Sequence, residues 1–148
     1  MSRGAKPNLD NVSTFPGSDK PQEFHEAKAA ELRPGDLSPD EIVTWNRIAP
    51  ELSKVGRLTP LFVDVVQSYC EILCRLKSWR KWLDDNDWVY TTEGRHGKQH
   101  KSRPEVAQLN DDWRKFRSLQ GDLGLSPSAE RGLKGIQGDL FGSEFEEY

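Results

Sequence analysis

Long hydrophobic runs are missing from this sequence. Only 34% of its 148 residues are hydrophobic, 30% are charged, and the mean hydropathy is -0.79. No stretch is apolar for long enough to span a bilayer, and no signal peptide or lipidation motif is present. The expectation is therefore a cytoplasmic protein with no membrane partner. Cysteine is scarce too. Cys70 and Cys74 sit four apart on one predicted helix, a separation that does not suit a disulfide within a regular helix and that fits a reducing compartment. Also missing are a phosphate-binding loop, a Gly-x-Ser-x-Gly elbow and a His-Glu-x-x-His pair. The expectation is a non-catalytic chain without a cofactor. The formal charge of -3 rules out a bulk basic nucleic-acid binder.

What is present lies in the middle, where all five tryptophans (45, 79, 82, 88 and 113) are found. Residues 1–37 carry Pro7, Pro16, Pro21 and Pro34 with little periodic apolarity. They read as a flexible arm, with at most a helical turn through Glu23 to Leu32. Ser38-Pro39-Asp40-Glu41 is a helix start: Ser caps, Pro takes the first helical position, and Glu41 reaches back to the cap amide. Ile42, Trp45, Ile48, Ala49 and Leu52 follow on one face, and Val55-Gly56 ends that helix. Thr59-Pro60 opens the next by the same logic. Its apolar positions, Leu61, Phe62, Val65, Val66, Tyr69, Ile72, Leu73, Leu76, Trp79 and Leu83, repeat at helical spacing over some seven turns. Such a stripe needs either helices on both sides of it or other subunits.

The run Asp84-Asp85-Asn86-Asp87 breaks the long helix, since acids oppose the dipole at a helix C-terminus. Trp88-Val89-Tyr90-Thr91-Thr92 is β-prone, and Gly94 and Gly97 allow a turn-back, giving a hairpin at about 88–102. A hairpin this small is marginal alone and is expected to lean on the helices or on a neighbouring copy. Ser102-Arg103-Pro104-Glu105 repeats the capping pattern. Val106, Leu109, Trp113, Phe116, Leu119 or Gln120, and Leu123 form the face of a further helix, with Gly124 as its stop. Ser126-Pro127 then starts a short last helix toward Leu133, closing a domain of residues 38–134. Residues 135–148 form an acidic tail with the aromatics Phe141, Phe145 and Tyr148. The fold class expected is mainly α: an oligomerising helical hairpin with an extra N-terminal helix, a small β-hairpin and flexible tails.

Between Arg75 and Arg117 there are eleven basic and seven acidic residues, a local excess in a chain that is negative overall. Arg95, Lys98, Lys101 and Arg103, beside Trp88 and Tyr90, are the candidates for contacting phosphate, because counterion release requires charge and no special geometry. A solvated turn is the alternative. Arg80 and Lys81 are less specific candidates. Cys70, Cys74, His96 and His100 lack the spacing of a zinc knuckle, and cysteines among Val, Ile and Leu read as core. Asp84, Asp85, Asp87, Asp111 and Asp112 read as solvated helix ends in preference to a two-metal nuclease site. The tail is either a docking peptide or an unstructured end; three aromatics in its last eight residues favour docking.

The order of motifs carries more than any one of them. Leu58-Thr59-Pro60, a helix containing Tyr69, the strand Trp88 to Thr92 with Gly94, a helix after Pro104, and Leu123-Gly124-Leu125-Ser126-Pro127-Ser128-Ala129 together resemble the small subunits of tailed-phage terminases. The resemblance covers residues 58–133. Glu130, followed by Arg131, and the pair Arg103-Pro104 depart from the family's usual residues. The resemblance implies a non-enzymatic component of a genome-packaging motor. Such a protein would form a ring-shaped homo-oligomer, bind double-stranded viral DNA and deliver it to the terminase large subunit, which carries the ATPase and nuclease. On that reading Phe62, Val66, Tyr69, Leu73, Leu76, Trp113 and Phe116 are the expected subunit interface, and Phe141, Phe145 and Tyr148 the dock for the large subunit. The rivals are a helical transcriptional regulator, a metal-dependent nuclease and an adaptor that never touches nucleic acid.

Overall fold

The computed structural model describes residues 20–129. Among the described residues four long helices and one hairpin follow one another: α1 (Gln22–Glu31), α2 (Pro39–Lys54), α3 (Val63–Asn86), β1 (Val89–Gly94), β2 (Gly97–Ser102) and α4 (Pro104–Asp122). Each helix packs on its neighbour in sequence, α1 on α2, α2 on α3 and α3 on α4. At 24 residues α3 is about 36 Å long. It is the spine of the fold, with α2 and α4 both packed against its apolar stripe.

The local signals explain most of the boundaries. At the start of α2 the Ser38 amide donates to Glu41 Oε2 at 2.8 Å, completing a capping box with Pro39 in the first turn. Trp45, Leu52, Leu58, Val66 and Leu83 are fully buried in the common core. Thr59-Pro60 opens differently from the expected α-helix. Pro60–Phe62 form a single 3-10 turn before α3 begins at Val63, so Leu61 and Phe62 fall outside the α-helical stripe and face outward. The α4 start differs as well. Ser102 ends β2, and Arg103 is the N-cap without a side-chain cap bond. The serine stands one position earlier relative to its proline than Ser38 does, and the strand claims it. At the other end of α4, Gly124 takes φ 63°, a conformation that glycine adopts without a Cβ penalty, and its N–H returns to Gly121 O at 2.9 Å. Residues 127–129 are again helical.

Residues 22–31, expected as no more than a turn, form a full helix docked on α2. Local periodicity does not mark it, because long-range polar contacts hold it. Trp45 Nε1 donates to Ala29 O at 2.8 Å, and His25 Nδ1 lies 2.8 Å from Ser53 Oγ. His25 and Ala29 are both buried.

Candidate nucleic-acid interface

The hairpin grows from the end where α3 stops and α4 starts. α3 ends in acids, against its dipole, and local partners offset the cost. Lys81 Nζ holds Asp85 at 3.0 Å, Trp88 Nε1 donates to Asp84 Oδ1 at 2.9 Å, and Asn86 Nδ2 donates to Trp82 O at 2.8 Å. The chain then turns at Asp87, which has φ 61° and is the one non-glycine residue with positive φ among the described residues. Arg103 secures this corner. Its Nε donates to Asp87 O at 2.7 Å, its backbone N–H to Trp88 O at 3.1 Å, and its guanidinium lies 5.5 Å from the Trp82 ring centroid.

Above the corner β1 and β2 pair antiparallel, from Val89 opposite Ser102 to Gly94 opposite Gly97. The turn residues are Arg95 and His96, and Gly97 closes it at φ 95°, a value that side chains with a Cβ rarely tolerate. All the hairpin side chains are exposed except Thr92, which is half-buried. Of the two supports expected for the ribbon, the helices or a neighbouring copy, the helices supply the corner at Arg103.

Alternation of side chains across a strand sorts the charges. Val89, Thr91 and Glu93 share one face with Ser102, His100 and Lys98, while Tyr90 and Thr92 share the other with Lys101 and Gln99. Lys98 and Lys101 thus stand on opposite faces and Arg95 at the tip, so the four residues taken as one phosphate-contacting group do not form a single patch. The side chains of Arg95, Lys98 and Lys101 have no hydrogen-bond or ion-pair partner among the described residues, whereas Arg103 is committed to the corner. Arg80 and Lys81 lie exposed on the last turns of α3, with Lys81 held by Asp85.

Residues 43–139 match the family described as phage terminase, small subunit. The chain belongs to that family. None of the curated proteins and none of the solved structures matches it. The residues expected at a subunit interface separate into two groups. Val66, Tyr69, Leu76 and Phe116 are buried in the chain's own core, where Tyr69 and Phe116 stack with ring centroids 4.9 Å apart. Tyr69 and Phe116 thus join α3 to α4 within one chain, and burial pushes the Tyr69 hydroxyl's pKa up. Leu73 is half-buried, while Phe62 (44%) and Trp113 (45%) present their rings outward. Phe141, Phe145 and Tyr148 lie outside the described residues.

Two polar clamps escape detection in the sequence because their partners are remote. Arg75 Nε and Nη2 grip Asp112 Oδ2 and Oδ1 at 2.6 and 2.7 Å, joining α3 to α4, and Gln108 Nε2 adds a third bond at 3.0 Å. The Asp112 side chain is fully buried, and the guanidinium beside it holds its carboxyl below the usual carboxylate range. Arg57 Nη1 donates to the carbonyls of Leu123 and Gly124, both at 2.9 Å, supplying partners for acceptors that a helix end leaves orphaned. Asp112 is therefore a structural anion, and Asp84 and Asp85 are engaged at the corner. Among the described residues no group of His, Cys, Asp and Glu is placed to hold a metal ion. The Cys70 thiol is buried and its pKa is pushed up to about 12, by desolvation first and then by Cys74 and Glu41. No described helix is long and apolar enough to cross a membrane.

Proposed function

We propose that this chain is the non-catalytic, DNA-recognising subunit of a phage packaging motor, and that the hairpin is its contact with double-stranded DNA. The observation that carries this reading is the exposed ribbon with unpaired Arg95, Lys98 and Lys101, projecting from a chain of the terminase small-subunit family. A two-stranded ribbon fits the roughly 12 Å width of the major groove. With one lysine on each face and an arginine at the tip, insertion tip-first brings a cation toward each phosphate wall, which a one-sided patch would not do. Arg80 extends the positive surface along α3, Lys81 being held by Asp85, and Arg103 acts by positioning the ribbon.

The test is the salt dependence of binding to duplex DNA. Replacing Arg95, Lys98 and Lys101 together by alanine is expected to make the slope of log affinity against log salt shallower by about one for each charge removed. Unchanged affinity and slope at low salt would exclude the hairpin.

The same reading has the chain self-associate in a ring and pass DNA to the large ATPase and nuclease subunit. Leu61, Phe62 and Trp113 are outward apolar side chains available for that association. Sedimentation of the full chain is expected to give a mass above that of a dimer, and Phe62→Ser with Trp113→Ser to lower it. A monomer or dimer for the unmodified chain would argue for a regulator instead.

A further inference from the structure

The two faces of the ribbon are not alike. Trp88 continues the ladder, its carbonyl accepting from the Arg103 N–H at 3.1 Å, so alternation puts its side chain on the face of Tyr90 and Thr92. Across the ladder that face carries Lys101 opposite Tyr90 and Gln99 opposite Thr92. Both aromatic rings are exposed. The Trp88 ring is held in place by the bond from its Nε1 to Asp84 Oδ1 at 2.9 Å, which also occupies that carboxylate. Lys101 has no hydrogen-bond or ion-pair partner among the described residues. The other face has no Trp, Tyr or Phe. It sets Glu93 opposite Lys98, and its one ring, His100, is tied through Nδ1 to Thr91 Oγ1 at 3.1 Å.

We infer that the Trp88–Tyr90 face is a stacking platform for an unpaired DNA strand, with Lys101 against its phosphates. This rests on the ribbon being a DNA contact, and adds the form of DNA and the residues that hold it. Ring-on-ring stacking needs a free base face. In a duplex each base face is covered by its neighbours, so exposed rings of this kind select a strand whose bases are splayed. The spacing agrees. Residues two apart on a strand stand about 7 Å apart, twice the roughly 3.4 Å step of a stacked strand, which suits bases that have come apart. Charge agrees too, because cross-strand neighbours lie about 5.5 Å apart, and Lys101 is thus within reach of the phosphates of a base stacked on Tyr90. With the Trp88 ring already fixed by Asp84, less ordering is left to be done on binding. For a protein partner the same face is poorly made: its centre holds a lysine, a glutamine and a threonine where an apolar patch would be needed. The duplex mode uses the tip and both faces of the ribbon, whereas the single-strand mode uses one face, so substitution separates them.

Fluorescence anisotropy of a labelled oligothymidylate of about ten nucleotides, which cannot pair with itself, reads the platform in the full chain. The same titration with a duplex reads the rest of the ribbon. Tyr90→Ala is expected to weaken oligothymidylate binding about tenfold, Tyr90→Phe to keep it, and Lys98→Ala, on the other face, to leave it nearly unmoved. On the duplex the order reverses. Lys98→Ala makes the salt slope shallower by about one, while Tyr90→Ala leaves affinity and slope nearly unmoved, which also shows that the ribbon is intact in that variant. Equal oligothymidylate binding by the unmodified chain and Tyr90→Ala would overturn the platform. So would equal losses on both probes, or no oligothymidylate binding by a chain that binds duplex, and in that last case the duplex contact stands alone. Binding of neither probe would remove both readings. A lower sedimenting mass for Tyr90→Ala at unchanged oligothymidylate affinity would give the face to a second copy instead.

Discussion

The helical body and the hairpin are stabilised on opposite principles. In the body, apolar side chains from α2 and α4 converge on α3, and polar groups brought inside find partners, as Trp45 does with Ala29 and Asp112 with Arg75. In the hairpin almost nothing is buried. Its order comes from ladder hydrogen bonds, from the Thr91–His100 side-chain bond and from the Arg103 corner, and a ribbon held that way leaves most of its side chains free for contact. Residues that matter to folding and the residues proposed for recognition are thus largely different sets.

The widest separation between the two regions is expected from a core truncation. Trp45→Ala removes a fully buried ring and its bond to Ala29 and should cost about 3–5 kcal/mol, seen as a large fall in thermal midpoint. The triple alanine variant of the hairpin lysines and arginine should leave that midpoint nearly unmoved; a comparable fall would mean that the ribbon belongs to the core.

Next comes Arg75→Met, which strands the buried Asp112 carboxylate and should cost about 3 kcal/mol near neutral pH. The pH dependence sharpens it. Because Arg75 holds Asp112 below its unfolded value, the pair's contribution is present above the ordinary carboxylate pKa and is lost as pH falls through the folded value. The gap between the two proteins in urea unfolding should therefore narrow from neutral pH toward about pH 3. A gap that does not change with pH would show that Asp112 is not the group that matters. Smallest is the effect of the hairpin variant on DNA, a change of salt slope with no change of fold.

Much of the body is legible in the sequence because its signals are local. The Ser38-Pro39-Glu41 box, the long stripe of α3, the Gly124 stop and the turn glycines each act within a few residues. The rest depends on atoms far apart along the chain. α1 is docked by His25 and Ala29 meeting Ser53 and Trp45, and neither residue advertises a partner. The division of the interface set into buried Val66, Tyr69, Leu76 and Phe116 and outward Phe62 and Trp113 depends on how closely α4 follows α3. The opposite faces of Lys98 and Lys101 follow from parity alone, but only once the strand is known to run without interruption through both. The role of Arg103 does not follow from its charge, since what it binds is a backbone carbonyl that the turn at Asp87 presents.

That turn has a mechanical side. The ribbon is joined to the body at Asp87, Trp88 and Arg103, and six residues of strand extend it by about 20 Å. It is a lever with one joint: a swing of about 10° there carries the tip sideways by about 3 Å. A force applied at Arg95 would act on the two helix ends that meet at the joint, the last turn of α3 and the first of α4, as a single torque on both.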